Sequence, residues 1–330
     1  MGSARRYDED DVRVRPAPRS RPRTRNRPAH EAAVPGLVTA VDRGRYTCLV
    51  GGAVVVAMRA RELGRKSVVV GDNVAIVGDV TGEPDTLARI VRIEPRSSVL
   101  RRTADDVDPN ESIVVANVDQ LVIVTSLAQP DPNMRWIDRC LVAAYDAGIE
   151  PLLCLTKTDL ADAAELVAMY SPLGVRHIVS GLDDAGNGVA TLRAQVTGRI
   201  SAFIGPSGAG KSTLVNQLVP DAHRIIGVVS ASTGKGKHTS TSVVALPLPG
   251  GGWVFDTPGI RSFGLAHVSV EAILDGFDDL HEAAAHCPPH CSHLGPDCAL
   301  GSAVASGAAD PRRLDSFRRL LLSREGRPDD

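Results

Sequence analysis

The spacing of apolar and polar positions shifts along the chain from a strand period to a mixed one and then to a helical one. Five short runs, GLVTAV (36–41), YTCLV (46–50), AVVVAMRA (53–60), NVAIVGDV (73–80) and ARIVRIEP (88–95), are rich in β-branched residues. They are parted by turn signals such as GG and GEPD, as in a series of short strands. Five strands in about seventy residues predict a small β-barrel. The OB-fold is one such barrel and often holds RNA or single strands, although small barrels also serve as spacers or protein-binding modules. ADDVDPNE (104–111) reads as a linker.

Beyond the linker, strands alternate with helices. VDQLVIVTSL is a buried-strand run and MRWIDRCLVAAYDAG a helical one. EPLLCLTKTDL, RHIVSG, RISAFIGPSGAGKST and GGWVFDTPG each place a strand before a turn or motif, and AELVAMYSPLG reads as a further helix. This alternation predicts a parallel sheet covered on both faces. Ligands of such sheets bind beyond the carboxyl ends of the strands, where TKTD, GPSGAGKST and DTPG all fall. The last part, 266–330, reads as helical. In PRRLDSFRRLLLSREGR, Leu314, Phe317, Leu320 and Leu321 share one face. The arginines 312, 313, 318, 319 and 324 are expected mostly on the solvated remainder.

Composition adds three constraints. At 330 residues, 43% apolar and 23% charged, the chain has the make-up of a globular protein of two or three domains. Aromatics are only 3%, so the core is expected to be aliphatic. Neither a membrane-length apolar run nor a secretory signal is read. Net charge is −2, but residues 1–33 hold nine arginines and five acids among many prolines. That composition predicts disorder, as a solvated tail or as a basic arm for nucleic acid phosphates. Cys48, Cys140 and Cys154 are scattered, whereas Cys287, Cys291 and Cys298 cluster among histidines, which favours metal over disulfides.

GPSGAGKS fits G-x-x-x-x-G-K-[ST] without a mismatch, with a strand before it and a helix after. Gly205, Gly208 and Gly210 let backbone N–H groups form an anion nest. Lys211 is placed for the β- and γ-phosphates and Ser212 for Mg²⁺. The nucleotide-binding stretch comprises Gly205, Pro206, Ser207, Gly208, Ala209, Gly210, Lys211, Ser212 and Thr213. In DTPG, Asp256 is placed to hold Mg²⁺ through water and the Gly259 N–H to meet a γ-phosphate. TKTD, made of Thr156, Lys157, Thr158 and Asp159, carries base identity. The Asp159 carboxylate accepts from guanine N1–H and its N2 amine, and the Lys157 stem lies along the base. Thr156 stands where the usual NKxD form has Asn. VSG (179–181) is either the loop that buttresses the base or an ordinary turn. The order, base motif, phosphate loop, then DTPG, is that of a circularly permuted GTPase domain. Cys287, Cys291, His293 and Cys298 form C-x₃-C-x-H-x₄-C, a closed Cys₃His set suited to one structural Zn²⁺.

The TKTD–GPSGAGKST–DTPG order, the stretch GKGKHTST (234–241), the preceding barrel and the Cys/His cluster together resemble the ribosome small-subunit-dependent GTPase A family, from about residue 36 onward. The resemblance implies a multidomain fold: an N-terminal OB-fold barrel (34–103), a central permuted α/β P-loop GTPase domain (112–265) and a C-terminal, mainly helical zinc-binding domain (266–330), with 1–33 outside it. It implies GTP and GDP, Mg²⁺ and one Zn²⁺ as ligands, and the small ribosomal subunit with its rRNA as partner. A cytoplasmic monomer that hydrolyses GTP late in subunit maturation is the expectation. GKGKHTST would be the mobile switch, with Thr239 or Thr241 its Mg²⁺ or γ-phosphate ligand. Ile260 stands where Ras-like enzymes carry the water-orienting Gln. Slow unaided hydrolysis is therefore expected, with His238 as the family's substitute catalytic group beside Lys211. The family's zinc spacing is one residue longer in both outer gaps, which leaves His286 or His290 open as replacement ligands. Two rival readings are a P-loop kinase acting on a small acceptor, which leaves TKTD and the cluster unexplained, and a zinc-dependent RNA-binding protein with nucleotide as a structural ligand.

Overall fold

The computed structural model describes residues 32–64, 67–103, 112–181, 187–222, 243–257, 264–265 and 268–324. The five sequence runs at its start are five strands: β1 (Val34–Asp42), β2 (Arg45–Val50), β3 (Ala53–Arg59), β4 (Asn73–Gly78) and β5 (Ala88–Ile93). They close in the order β1-β2-β3-β5-β4 and back to β1, with β3 and β5 parallel and the other pairs antiparallel. Closure leaves no open edge in the barrel. β1 serves two neighbours by dividing its length. Residues 34–37 pair with β4 and residues 37–42 with β2, with a register shift between Val38 and Ala40. The inward alternation fills the barrel with aliphatic side chains, among them Val38, Val55, Val74, Ile76 and Ile90.

A hairpin of β6 (Val99–Arg102) and β7 (Ser112–Ala116) follows, its strands lying on either side of the 104–111 stretch read as a linker. The α/β sheet comes next: β8 (Gln120–Ser126), α1 (Met134–Asp146), β9 (Glu150–Thr156), α2 (Ala164–Tyr170), β10 (Arg176–Ser180), α3 (Asn187–Val196), β11 (Ile200–Ile204), α4 (Lys211–Leu218), β12 (Val244–Pro247) and β13 (Trp253–Asp256). Strand order is β10-β9-β8-β11-β13-β12, parallel except for β12. α1 starts where Asn133 caps it, accepting from the Trp136 N–H at 2.9 Å. Such a cap contributes about 1 kcal/mol. α1 packs its Ile137, Cys140 and Leu141 on one face of the sheet, while α3 and α4 cover the other with Leu192, Val196, Leu214 and Leu218. Scarcity of aromatics is met as expected, by an aliphatic core.

Barrel and α/β sheet are continuous, because β12 pairs with β1 at Val244 and Ala40. Asn117 adds a second seam: its Nδ2 donates to the Gly71 carbonyl (2.8 Å) and its Oδ1 accepts from the Ser97 N–H (2.8 Å).

Four helices end the described chain: α5 (Val270–Leu274), α6 (Asp278–Ala284), α7 (Ala299–Ala305) and α8 (Pro311–Arg324). α8 buries Leu314, Phe317, Leu320 and Leu321, the face read from the sequence. Its arginines correct the expectation of a solvated face. Arg319 pairs with Asp138 of α1 at 2.9 Å, and that carboxylate is fully buried. Arg313 pairs with Asp279 (2.8 Å) and donates to the Pro172 carbonyl (2.7 Å). Arg318 donates to the His293 carbonyl at 3.1 Å and Arg324 to that of Val268 at 2.5 Å. Only Arg312, paired with the neighbouring Asp310, stays at the surface. Helical periodicity marks the apolar stripe but is silent on carboxylates brought in from other helices, and long guanidinium arms reach them from the flanks.

Candidate nucleotide cleft and metal cluster

The chain leaves β8 outward to β9 and β10, then jumps to the other side of β8 as β11 and goes on to β13. Open α/β sheets hold ligands at the carboxyl ends of the strands where the order reverses in this way. The three motifs arrive there together. TKTD begins on the last residue of β9, the phosphate loop follows β11, and DTPG begins on the last residue of β13.

Thr156 joins the first two. Its hydroxyl donates to the Ala209 carbonyl at 2.7 Å, with the Thr125 carbonyl 3.3 Å away. The TKTD segment and the GPSGAGKST loop are thereby tied by one buried hydrogen bond between residues 53 apart. Lys157 takes a left-handed backbone (φ 60°), uncommon outside glycine, and its Nζ donates to the Gln129 carbonyl. Gly181 passes so close that an added Cβ would stand 2.2 Å from Thr158 Oγ1. The VSG segment is thus laid against TKTD, and it ends β10 beside it.

In the phosphate loop, Gly208 (φ 84°) and Gly210 (φ 88°) are both left-handed, which turns successive N–H groups to one side. α4 starts at Lys211, so its positive end meets the same place. Lys211 is buried and forms an ion pair with Asp256. Ser212 and Thr213 occupy the exposed first turn. Thr257 is locked by its hydroxyl, which donates to the Phe203 carbonyl of β11 at 2.7 Å. Gly259 and Ile260, together with His238, Thr239 and Thr241 of the GKGKHTST stretch, lie outside the described residues.

Beside the loop is a cleft of about 340 Å³, the scale of a small-ligand site. Thr156, Lys157, Asp159, Gly181, Gly210 and Thr213 are among its walls. Leu160, Val189 and Gln217, which motif reading passed over, also line it. Motif reading also passed over the loop after β8, which lies against the phosphate loop: Ser126 Oγ donates to the Pro130 carbonyl (2.7 Å), and Pro130 packs on Gly208. The signal available was position alone, since that loop also follows the carboxyl end of a central strand.

The cysteine cluster is a separate centre. Ligand atoms of Cys287, Cys291, His293 and Cys298 all lie within 4.8 Å of one another. Cys287 Sγ is 3.7 Å from Cys298 Sγ, and both are 3.6 Å from His293 Nδ1. A tetrahedron with Zn–S of about 2.3 Å and Zn–N of about 2.0–2.1 Å has S···S edges of about 3.8 Å and S···N edges of about 3.6 Å. The donor set and its spacing therefore fit Zn²⁺, with neither His286 nor His290 in the group. Partial burial lowers the His293 pKa, opposed by the Glu271 carboxylate, and so favours the neutral imidazole. Burial foremost, with the neighbouring thiols, pushes Cys298 up to about 11.

A family model described as RsgA GTPase matches residues 93–266. The small ribosomal subunit biogenesis GTPase RsgA of Ectopseudomonas mendocina is 42% identical over 241 residues, 71% of this chain and 69% of that one. The protein of the same name from Chromohalobacter salexigens is 38% identical over 263 residues, 78% of this chain and 75% of its own. Among solved structures, YjeQ from Thermotoga maritima superposes with a TM-score of 0.66 at 25% identity, over 90% of this chain and 100% of that one. YloQ, described as a circularly permuted GTPase, gives 0.62 at 25% identity, over 92% and 98%. With its motif order, its barrel and more than half its length matched, the chain belongs to the RsgA GTPase family.

Proposed function

We propose that this protein hydrolyses GTP on the small ribosomal subunit and acts in the subunit's late maturation, in the cytoplasm. One observation carries the reading: the Thr156–Ala209 hydrogen bond, which ties the TKTD segment to the GPSGAGKST loop beside a cleft that Asp159 also lines. A kinase has no use for that carboxylate, and a purely structural nucleotide has none for a switch segment between the loop and DTPG. The relatives named for small-subunit biogenesis supply the partner, and its rRNA is the proposed contact.

Residue roles follow from chemistry. Asp159 accepts from guanine N1–H and N2, the Lys157 stem lies along the ring, and the VSG segment (179–181) buttresses the base. The loop from Gly205 to Gly210 wraps the phosphates, and Lys211 exchanges its pairing with Asp256 for phosphate oxygens. Ser212 and Asp256 are hard oxygen donors of the kind Mg²⁺ takes, and the ion would neutralise charge on the transferring phosphoryl group. Gly259, and Thr239 or Thr241, would contact the γ-phosphate side. His238 would orient the attacking water in place of the Gln that Ile260 displaces. Cys287, Cys291, His293 and Cys298 would hold one Zn²⁺, whose part is to close the C-terminal module. The corresponding division is a barrel at 34–103, a GTPase domain at 112–265 and a zinc domain at 266–330.

The test is phosphate release from GTP with and without purified small subunits. Stimulation is expected; a rate unchanged by subunits would sink the ribosome-coupled reading. Asp159→Asn should lose preference for GTP over xanthosine triphosphate in equilibrium binding, because an amide can donate where the carboxylate accepts.

A further inference from the structure

Guanine shows two donors, N1–H and the N2 amine, and two acceptors, O6 and N7. Asp159 answers only the donors. In the NKxD form an amide stands at the first position of the motif and can also donate to the base. Here that position is Thr156, whose single hydroxyl proton is directed to the Ala209 carbonyl at 2.7 Å. An N7 contact must come from elsewhere in the cleft.

The walls hold few side-chain donors suited to it. Thr213 sits at the phosphate end, one residue after Ser212, and Lys157 Nζ is drawn to the Gln129 carbonyl. Ser180 and Gln217 remain. Gln217 lies on α4 in register with Gly210, Thr213 and Leu214, which line the same cleft at helical spacing. It stands six residues beyond Lys211, about 9 Å along the axis from the phosphate end. Its backbone is held from outside. Arg193 of α3 donates to the Gln217 carbonyl at 2.5 Å and to that of Leu218 at 2.9 Å. The last turn of α4 is therefore fixed against α3, whose Val189 lines the cleft too.

The geometry points to Gln217 as a base-reading residue: its side-chain amide donates to purine N7 and takes over the contact that Thr156 cannot make. This rests on the guanine-nucleotide reading above. It makes the second turn beyond the phosphate loop part of purine recognition, common to guanine and adenine, with Arg193 as its positioning residue.

The experiment is equilibrium binding of GDP, 7-deaza-GDP and ADP to wild type, Gln217→Leu and Ser180→Ala. 7-Deaza-GDP replaces N7 by C–H and leaves the Asp159 edge untouched. A neutral hydrogen bond of about 1 kcal/mol corresponds to about a 5-fold change in affinity. Wild type is expected to bind 7-deaza-GDP about 5-fold more weakly than GDP. Gln217→Leu should bind GDP about 5-fold more weakly and no longer distinguish the two, while Ser180→Ala still does. Equal binding of GDP and 7-deaza-GDP by wild type, with GDP still preferred to ADP, overturns the inference and spares the guanine reading. Discrimination that survives Gln217→Leu, or is lost in Ser180→Ala alone, overturns it as well. A wild type that does not prefer GDP to ADP overturns the guanine reading and this inference together.

Discussion

The nucleotide cleft and the cysteine cluster are held in opposite ways. The cleft collects its groups at the ends of β8, β9, β11 and β13, four hydrogen-bonded parallel strands, so the backbone has placed them before any ligand arrives. The cluster sits on residues 287–298, which form turns and no helix or strand. Cys287 and Cys291 are only half-buried, and nothing regular joins them. The first arrangement is preorganised by the fold, whereas a Zn²⁺ at the second, as proposed, would supply much of that segment's folding free energy. Changes should therefore spread differently from the two centres.

Lys211→Ala is the largest blow to the cleft. It removes the phosphate-binding charge and leaves the Asp256 carboxylate unpaired beside the phosphates. GDP affinity should fall by about 100- to 1000-fold in a calorimetric titration, with the thermal unfolding of the C-terminal helices little changed. Cys298→Ser tests the other side. Zinc content, read by metal analysis or a chelator dye, should fall from one equivalent, with affinity down at least about 100-fold. Amide protection should drop across 287–298 while the cleft still binds GDP. If nucleotide binding collapsed with the zinc, the two centres would not be separate folding problems. Thr156→Val is subtler. It leaves the Ala209 carbonyl without its donor, for a loss of about 1–2 kcal/mol in stability and about a 10-fold weaker affinity for GDP. An unchanged affinity would show that the bond linking the two motifs does not organise the cleft.

The smallest effect is alkaline. Burial pushes the Cys154 thiol, in β9 beneath TKTD, up to about 12 from an ordinary 9.0, and Cys48 in the barrel likewise. The folded state keeps protons that the unfolded chain releases. Their contribution is whole below about pH 9 and declines as pH rises toward 12, so denaturant midpoints should fall over that window. Replacing Cys154 by Ala should flatten the fall while costing some packing. A midpoint that held steady from pH 8 to 10.5 would contradict the buried-thiol account.

Much of this was legible in the chain. The five barrel runs became five strands because each is rich in β-branched residues and bounded by Gly or Pro turn signals. The phosphate loop carries its own geometry in its glycines. α3 escaped notice because Val189, Leu192 and Val196 are its few apolar anchors, with Gly188 before them and Thr191 among them. β12 did so because four residues ending in Pro247 give too short a pattern. The α8 arginines were misplaced on solvent because their carboxylate partners lie far off in sequence. Arg319 and Asp138 are 181 residues apart.

Sequence by itself determined which motifs are present: a glycine-rich GPSGAGKST loop, the TKTD segment with its carboxylate, a Cys₃His donor set, and the order in which they come. These are properties of residues within a few positions of one another, where spacing and backbone freedom decide the outcome. Tertiary structure alone decided who meets whom. Burying two faces of one sheet brought Thr156 to Ala209, Lys211 to Asp256 and Gln217 to the wall of the base cleft. A hydrophobic period specifies that a face is buried, but the partner it meets is set by the packing of the whole sheet.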